Sequence, residues 1–207
     1  MLGLPSTTEV MRPMPKVAFY EHLQLKPQKK KLFVSQIDKL TLANSIKPST
    51  MNIRDGEKYH EVLVLLVHLK HKELDESLLV TIARQNGHPL VFVCRYLNES
   101  QIYVYRQRLY GTGWLPTDAT TLNTSAEDLD QLWDSICSQI ALGTEDACDI
   151  LDLDTRLSLN QRISALEAES RRLMERSRKE KQPATKNRLH EDARAKMREL
   201  ERLKAGA

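Results

Sequence analysis

The ten-residue run at positions 61–70, EVLVLLVHLK, constrains this chain more than any other stretch. Both of its alternating sets are apolar: Val62, Val64 and Leu66 on one, Leu63, Leu65, Val67 and Leu69 on the other. A strand that reads this way is covered on both faces and belongs in the middle of a sheet. The next thirty-six residues (71–106) build on it. Asp75 is placed to cap a helix in which Leu78, Leu79 and Ile82 face inward and which Gly87 closes. Residues 89–96 are again continuously apolar, Asn98-Glu99-Ser100 turns the chain, and residues 101–106 alternate Ile102 and Val104 with Tyr103 and Tyr105. Residues 61–106 therefore read as strand, helix, strand, turn, strand. The helical crossover predicts a parallel, right-handed first pairing, and the tight turn predicts an antiparallel second one.

The flanking segments are expected to pack around this unit. Residues 1–15 carry Pro5, Pro13 and Pro15 and read as an extended arm. Val17, Phe19, Tyr20 and Leu23 suit a short helix ending before Pro27. Residues 28–40, QKKKLFVSQIDKL, place Leu32, Phe33, Ile37 and Leu40 at helical spacing. Residues 41–53 are weakly β-like, and Pro48 confines them to an edge or to a break between two short strands. Asp55-Gly56 then supplies a turn. Residues 108–122, with Gly111, Gly113, Trp114 and Pro116, read as an edge strand or loop leading out of the sheet. Ser125, with Asp128 three residues on, reads as the cap of a helix that presents Leu129, Leu132, Trp133, Ile136 and Ile140 and stops near Gly143.

Charge divides the rest. All nine charged residues between positions 125 and 154 are acidic, whereas from Arg156 onward fifteen Lys and Arg face eight Asp and Glu. The net charge of +3 is too small to argue for nucleic acid, but this switch is sharp. In the tail Leu159, Ile163, Leu166, Leu173, Leu189, Ala193, Met197 and Leu200 recur at three- and four-residue steps, and Pro183 interrupts them. Two helices folded back as a hairpin are expected, with a thin apolar seam. The fold class expected is α+β: a small mixed β-sheet with a strand-helix-strand-strand centre and packing helices, followed by a C-terminal antiparallel helical hairpin. The expected division is 1–155 for the core and 156–207 for the charged hairpin.

Several chemistries are testable on the residues. Cys94, Cys137 and Cys148 are widely spaced with no CxxC pair, so neither a disulfide framework nor a zinc ribbon is expected. His60 and His68 share a strand face but lie about 26 Å apart at strand rise, and His71 adds no complete ligand set, so no metal site is expected. A restriction-type nuclease core needs a carboxylate on one strand and an acidic-x-lysine on the next to hold magnesium. Here His68-Leu69-Lys70 has the lysine but a histidine where the carboxylate belongs. Asp55, Glu57 and Glu61 are the upstream acids. Lys70, Glu61, Asp55 and His68 are thus the catalytic candidates of that reading. No glycine-rich phosphate loop or nucleophile motif is present, and no cofactor is expected. Arg171, Arg172, Arg176, Arg178, Lys179 and Lys181 are the densest basic group, with Lys29, Lys30 and Lys31 a second, and both are candidates for nucleic-acid contact. The first fifteen residues lack a signal-peptide apolar segment, and a cytoplasmic protein is expected.

The opening MLGLPSTTEV, then MPKVAFYEHL, KPSTMNI, the strand-helix-strand block and the tail KEKQPATKNRLHEDARAKMRELERL resemble, in that order, a bacterial family of domains of unknown function. The resemblance implies genes that often lie beside restriction-type helicases and DNA methyltransferases in defence islands. The resemblance implies a place in a DNA-processing or phage-defence operon, with a helicase or methyltransferase as partner. Expected from all of this is an accessory or adaptor protein acting by protein and DNA-backbone contacts, with self-association through the tail as a further contact. The alternatives are a divergent magnesium-dependent nuclease and a plain DNA-binding protein.

Overall fold

A computed structural model describes residues 2–17, 25–144 and 152–205 of the chain. The helix expected around Phe19, Tyr20 and Leu23 lies outside the described residues, as do Cys148 and the acids Glu145, Asp146 and Asp149. The chain divides into two compact units, Met1–Ala147 and Cys148–Ala207.

The first unit is a mixed sheet with helices on both faces. Its elements are β1 (Glu9–Met14), α1 (Pro27–Gln36), β2 (Ile37–Ile46), a single turn α2 (Pro48–Met51), β3 (Val62–Leu69), α3 (Ser77–Gln85), β4 (Leu90–Tyr96), β5 (Glu99–Arg106), β6 (Arg108–Gly111), β7 (Leu115–Pro116) and α4 (Leu129–Leu142). The strand order is β1-β2-β3-β4-β5-β6, with β7 also pairing to β5. The doubly apolar run becomes β3, held between antiparallel β2 and parallel β4, and β5 returns antiparallel to β4. The α+β class and the strand-helix-strand-strand centre are as the sequence predicts.

Each face has its own cover. Leu65, Val67 and Leu69 of β3, Phe92 and Cys94 of β4 and Tyr103 of β5 share one core with Phe33 of α1 and Leu78, Leu79 and Ile82 of α3. The opposite face carries Val64, Val91 and Val104 in register, and α4 packs there against β5 and β6. Arg106, on the Val104 side of β5, donates to Asp134 of α4 and fixes that placement.

Three expectations need correction. The helix over 28–40 ends at Gln36, and Ile37 and Leu40 belong to β2. The register slips between Ile37 and Lys39, leaving Asp38 as an extra residue. The bulge puts Ile37 and Leu40, three apart, on the same face, so a bulged strand imitates helical spacing. Of the two readings of Pro48 the break holds, since β2 ends at Ile46, but residues 41–46 are not an edge: β2 pairs on both sides, and β1, within the extended arm, is the edge. The polar residues that made this stretch look marginal are satisfied from a distance. The Asn44 side-chain amide donates to Thr8 Oγ1 at 2.8 Å, and the Ser45 hydroxyl donates to Glu61. Finally, α4 is capped by Asp128, not Ser125, with the Gln131 N–H donating to its carboxylate at 2.9 Å.

The second unit is an antiparallel helical hairpin of α5 (Leu153–Lys179) and α6 (Pro183–Ala205). Asp152 caps α5, accepting from the backbone and hydroxyl of Thr155, and Pro183 opens α6, where its missing N–H costs nothing. None of the described helices is long and apolar enough to cross a membrane.

Candidate functional site

The nuclease candidates do not converge. Glu61 immediately precedes β3 and Lys70 immediately follows it, so an eight-residue strand, about 26 Å at ordinary rise, separates them. Asp55 lies further upstream and faces His60, Oδ2 to Nδ1 3.0 Å. The Glu61 carboxylate is taken up by Ser45 and lies 4.0 Å from His88. Lys70 donates through Nζ to the Val34 carbonyl at 2.9 Å, satisfying the last turn of α1. No group of three or more His, Cys, Asp or Glu able to hold a metal ion occurs among the described residues. Pairing Lys70 with Glu61 or Asp55 in one magnesium site is therefore excluded by their spacing. Cys94 and Cys137 are buried, and burial, reinforced by Glu76, pushes the Cys94 thiol far above its ordinary range.

His68 has a different environment. On β3 it stands opposite Lys39 of β2 and Arg95 of β4. Partial burial lowers its pKa from the ordinary 6.5, the charges of Lys39 and Arg95 lower it further, and Asp38 opposes them least. Nothing in the sequence brings these residues together. They are 27 and 29 positions apart and meet only through strand register.

The two basic groups separate in role. Lys29 is drawn inward, donating to Thr81 Oγ1 at 2.7 Å and to the Ser77 carbonyl at 3.3 Å, so it ties α1 to α3. Lys30 and Lys31 are exposed. In the hairpin the charges sort by position. Near its open end, pairs cross between the helices: Arg162 to Glu199 at 2.8 Å, Lys204 to Glu167 at 2.7 Å and Lys196 to Glu169 at 3.1 Å. Toward the turn, residues 171–188 hold eight Lys and Arg against two Glu. None of those eight forms a salt bridge among the described residues, and all are exposed. Ser170 and Ser177 lie buried against α6, donating to the carbonyls of Ala193 and Lys186. That seam turns Arg172, Arg176 and Lys179, at i, i+4 and i+7, into one outward stripe about 10 Å long. Arg176, Arg178 and Lys179 also complement the negative end of the α5 dipole.

Residues 2–200 match the model of a family described as a domain of unknown function, DUF4391. The chain belongs to this family. The match spans both units, so the helical hairpin is part of what defines the family and not an appendage of this member. No curated protein matches the chain, and no solved structure matches it.

Acidic residues that looked like one half of a charge switch have structural employment that the sequence did not signal. Glu127 pairs with Arg54 at 2.6 Å, Asp128 caps α4, Asp134 holds Arg106 and Asp152 caps α5. Asp130 accepts the backbone N–H groups of Glu57, Lys58 and Tyr59 at 2.9 to 3.2 Å. Burial pushes its carboxyl upward, but those three N–H groups outweigh it and hold the pKa below the ordinary carboxylate value. No Lys or Arg of the cluster at the hairpin turn forms a salt bridge among the described residues.

Proposed function

We propose that the protein is a non-enzymatic accessory component of a bacterial DNA-processing system of the restriction or phage-defence type. In this reading the α+β unit docks on a restriction-type helicase or DNA methyltransferase, and the hairpin turn contacts the DNA phosphate backbone. The observation that carries it is the exposed cluster of eight Lys and Arg without salt bridges at residues 171–188, in a hairpin where Arg162, Lys196 and Lys204 are paired across the helices. Unneutralised side chains in a stripe release condensed counterions when they meet phosphates, which gives sequence-independent binding. The partner class is supported by the family resemblance alone.

Duplex binding by the full-length protein tests the hairpin. Replacing Arg171, Arg172, Arg176, Arg178, Lys179 and Lys181 together by Gln should weaken binding by at least about a hundredfold at low salt, from the loss of several phosphate contacts. Equal affinity would remove the hairpin from DNA contact. Co-purification with a restriction-type helicase or DNA methyltransferase from the same organism tests the docking role, and failure of both to co-purify would remove it.

A further inference from the structure

We propose that Lys39, His68 and Arg95 form a phosphate-binding row on the face of the sheet, separate from the hairpin. The register places Lys39 directly opposite His68 and His68 directly opposite Arg95. With strands about 4.8 Å apart, the three side chains stand in a line roughly 10 Å across on one face. One row back, the same face is closed: Thr41, Leu66, Val93 and Ile102 are all buried. The row therefore lies where the core ends, with Lys39 exposed and His68 and Arg95 half-buried.

The row is electrostatically unbalanced. Neither Lys39 nor Arg95 forms a salt bridge among the described residues, and the opposing charge of Asp38 acts on His68 more weakly than burial, Lys39 or Arg95. Lys39 and Arg95 flank His68 from the two neighbouring strands, so charging the imidazole would set like charges in cross-strand register, and partial burial adds to that cost. An anion seated across the three would offset both. Arg95 is oriented for this, since its Nε donates to the Leu97 carbonyl at 3.3 Å and fixes the guanidinium at the strand end. Leu97 itself sits at φ +52°, a left-handed conformation that a branched side chain adopts at a cost. Next along the row, Ser100 is buried with its hydroxyl 3.0 Å from Thr117 Oγ1.

The location agrees with the chemistry. β3 and β4 are parallel and joined through α3, and His68 and Arg95 stand at their carboxyl ends, the side on which open α/β sheets bind ligands. A guanidinium, an ammonium and an imidazole able to donate from either nitrogen suit the several oxygens of a phosphate group and repel a metal cation.

The test monitors the His68 ring by NMR in the full-length protein, with its resonances assigned by their loss in His68→Gln. Inorganic phosphate, raised to about 20 mM to cover millimolar affinity, should shift them saturably, whereas chloride at matched ionic strength should not. Lys39→Gln with Arg95→Gln should weaken this at least about tenfold, as expected for two charge-assisted contacts. Lys39→Gln alone, at an exposed position, should weaken it several-fold and guards against misfolding of the double variant. A short single strand with a 5′-phosphate, compared with the same strand lacking it, identifies the source. Competition only by the phosphorylated strand supports a nucleic-acid terminus, and equal indifference to both supports a small phosphorylated ligand. A chloride effect as large as that of phosphate, or an undiminished shift in the charge variants, overturns the site. Because the reporter lies on β3, the result stands independently of DNA binding by the hairpin.

Discussion

At residue scale, the Gly56–Asp130 contact shows how one side chain can organise a loop. Asp130, in the first turn of α4, gathers three consecutive N–H groups from residues 57–59, and Gly56 lies against it with no room for a side chain. A Cβ on Gly56 would meet the Asp130 carboxylate and come within 2.6 Å of the Tyr59 carbonyl. Gly56→Ala should cost about 1–3 kcal/mol through overpacking, and Asp130→Asn about 1 kcal/mol, since the loop is half-exposed and water replaces part of what is lost. The two should be less than additive, because either change alone spoils the same clasp. Tryptophan fluorescence during urea unfolding reads this directly, as Trp114 and Trp133 both belong to the first unit. His68 gives a prediction with a sign. Its folded pKa lies below 6.5, so the unfolded chain binds more protons between the two values, and stability rises with pH across that window. Above 6.5 the penalty is absent, and it accumulates as pH falls from 6.5 toward the folded pKa. His68→Gln should flatten that part of the profile relative to wild type, and an unchanged slope would count against the burial of His68 between Lys39 and Arg95.

At the scale of elements, the hairpin depends on small residues. Ala193 is fully buried, Ser170 reaches its carbonyl, and only Leu166 and Leu189 are large buried residues in the middle of the seam. Close approach leaves no space, so Ala193→Leu should destabilise the hairpin by about 1–3 kcal/mol, measured as faster amide exchange along α5 and α6. Unchanged protection would show that the helices are not held together there. This seam was legible in the sequence because three- and four-residue apolar steps and Pro183 are local signals. β3 was equally legible, since two apolar faces in one run admit few alternatives. The start of β2 was not, because the bulge at Asp38 reproduces helical spacing and Asn44 and Ser45 are satisfied by Thr8 and Glu61, residues far away in sequence. The candidate sites divide the same way. The hairpin cluster is contiguous and could be read directly, whereas Lys39, His68 and Arg95 become neighbours only when three strands are aligned.

For the whole molecule, the net charge of +3 conceals segregation. The described acids between Glu127 and Asp152 are largely consumed by caps, loop clasps and ion pairs, and the basic residues near the open end of the hairpin are paired in part across its helices. Among the described residues, the eight Lys and Arg of residues 171–188 and, on a smaller scale, Lys39 and Arg95 of the row form no salt bridge. These two places should respond differently to salt. For duplex DNA, the logarithm of the binding constant falls with the logarithm of salt concentration by about 0.9 for each phosphate neutralised. If the six basic residues from Arg171 to Lys181 make the backbone contacts, replacing them by Gln should flatten that slope by as much as about five. Replacing Lys39 and Arg95 should change it by no more than about two, even were both to touch the duplex. A binding isotherm measured across a range of potassium chloride concentrations for the three proteins reads both numbers. The slope matters more than the affinity, because a merely destabilised hairpin weakens binding at every salt concentration alike, whereas lost phosphate contacts change the salt dependence itself. A slope unmoved by the six substitutions would mean that the cluster is a solvated helix face whose work ends with complementing the α5 dipole.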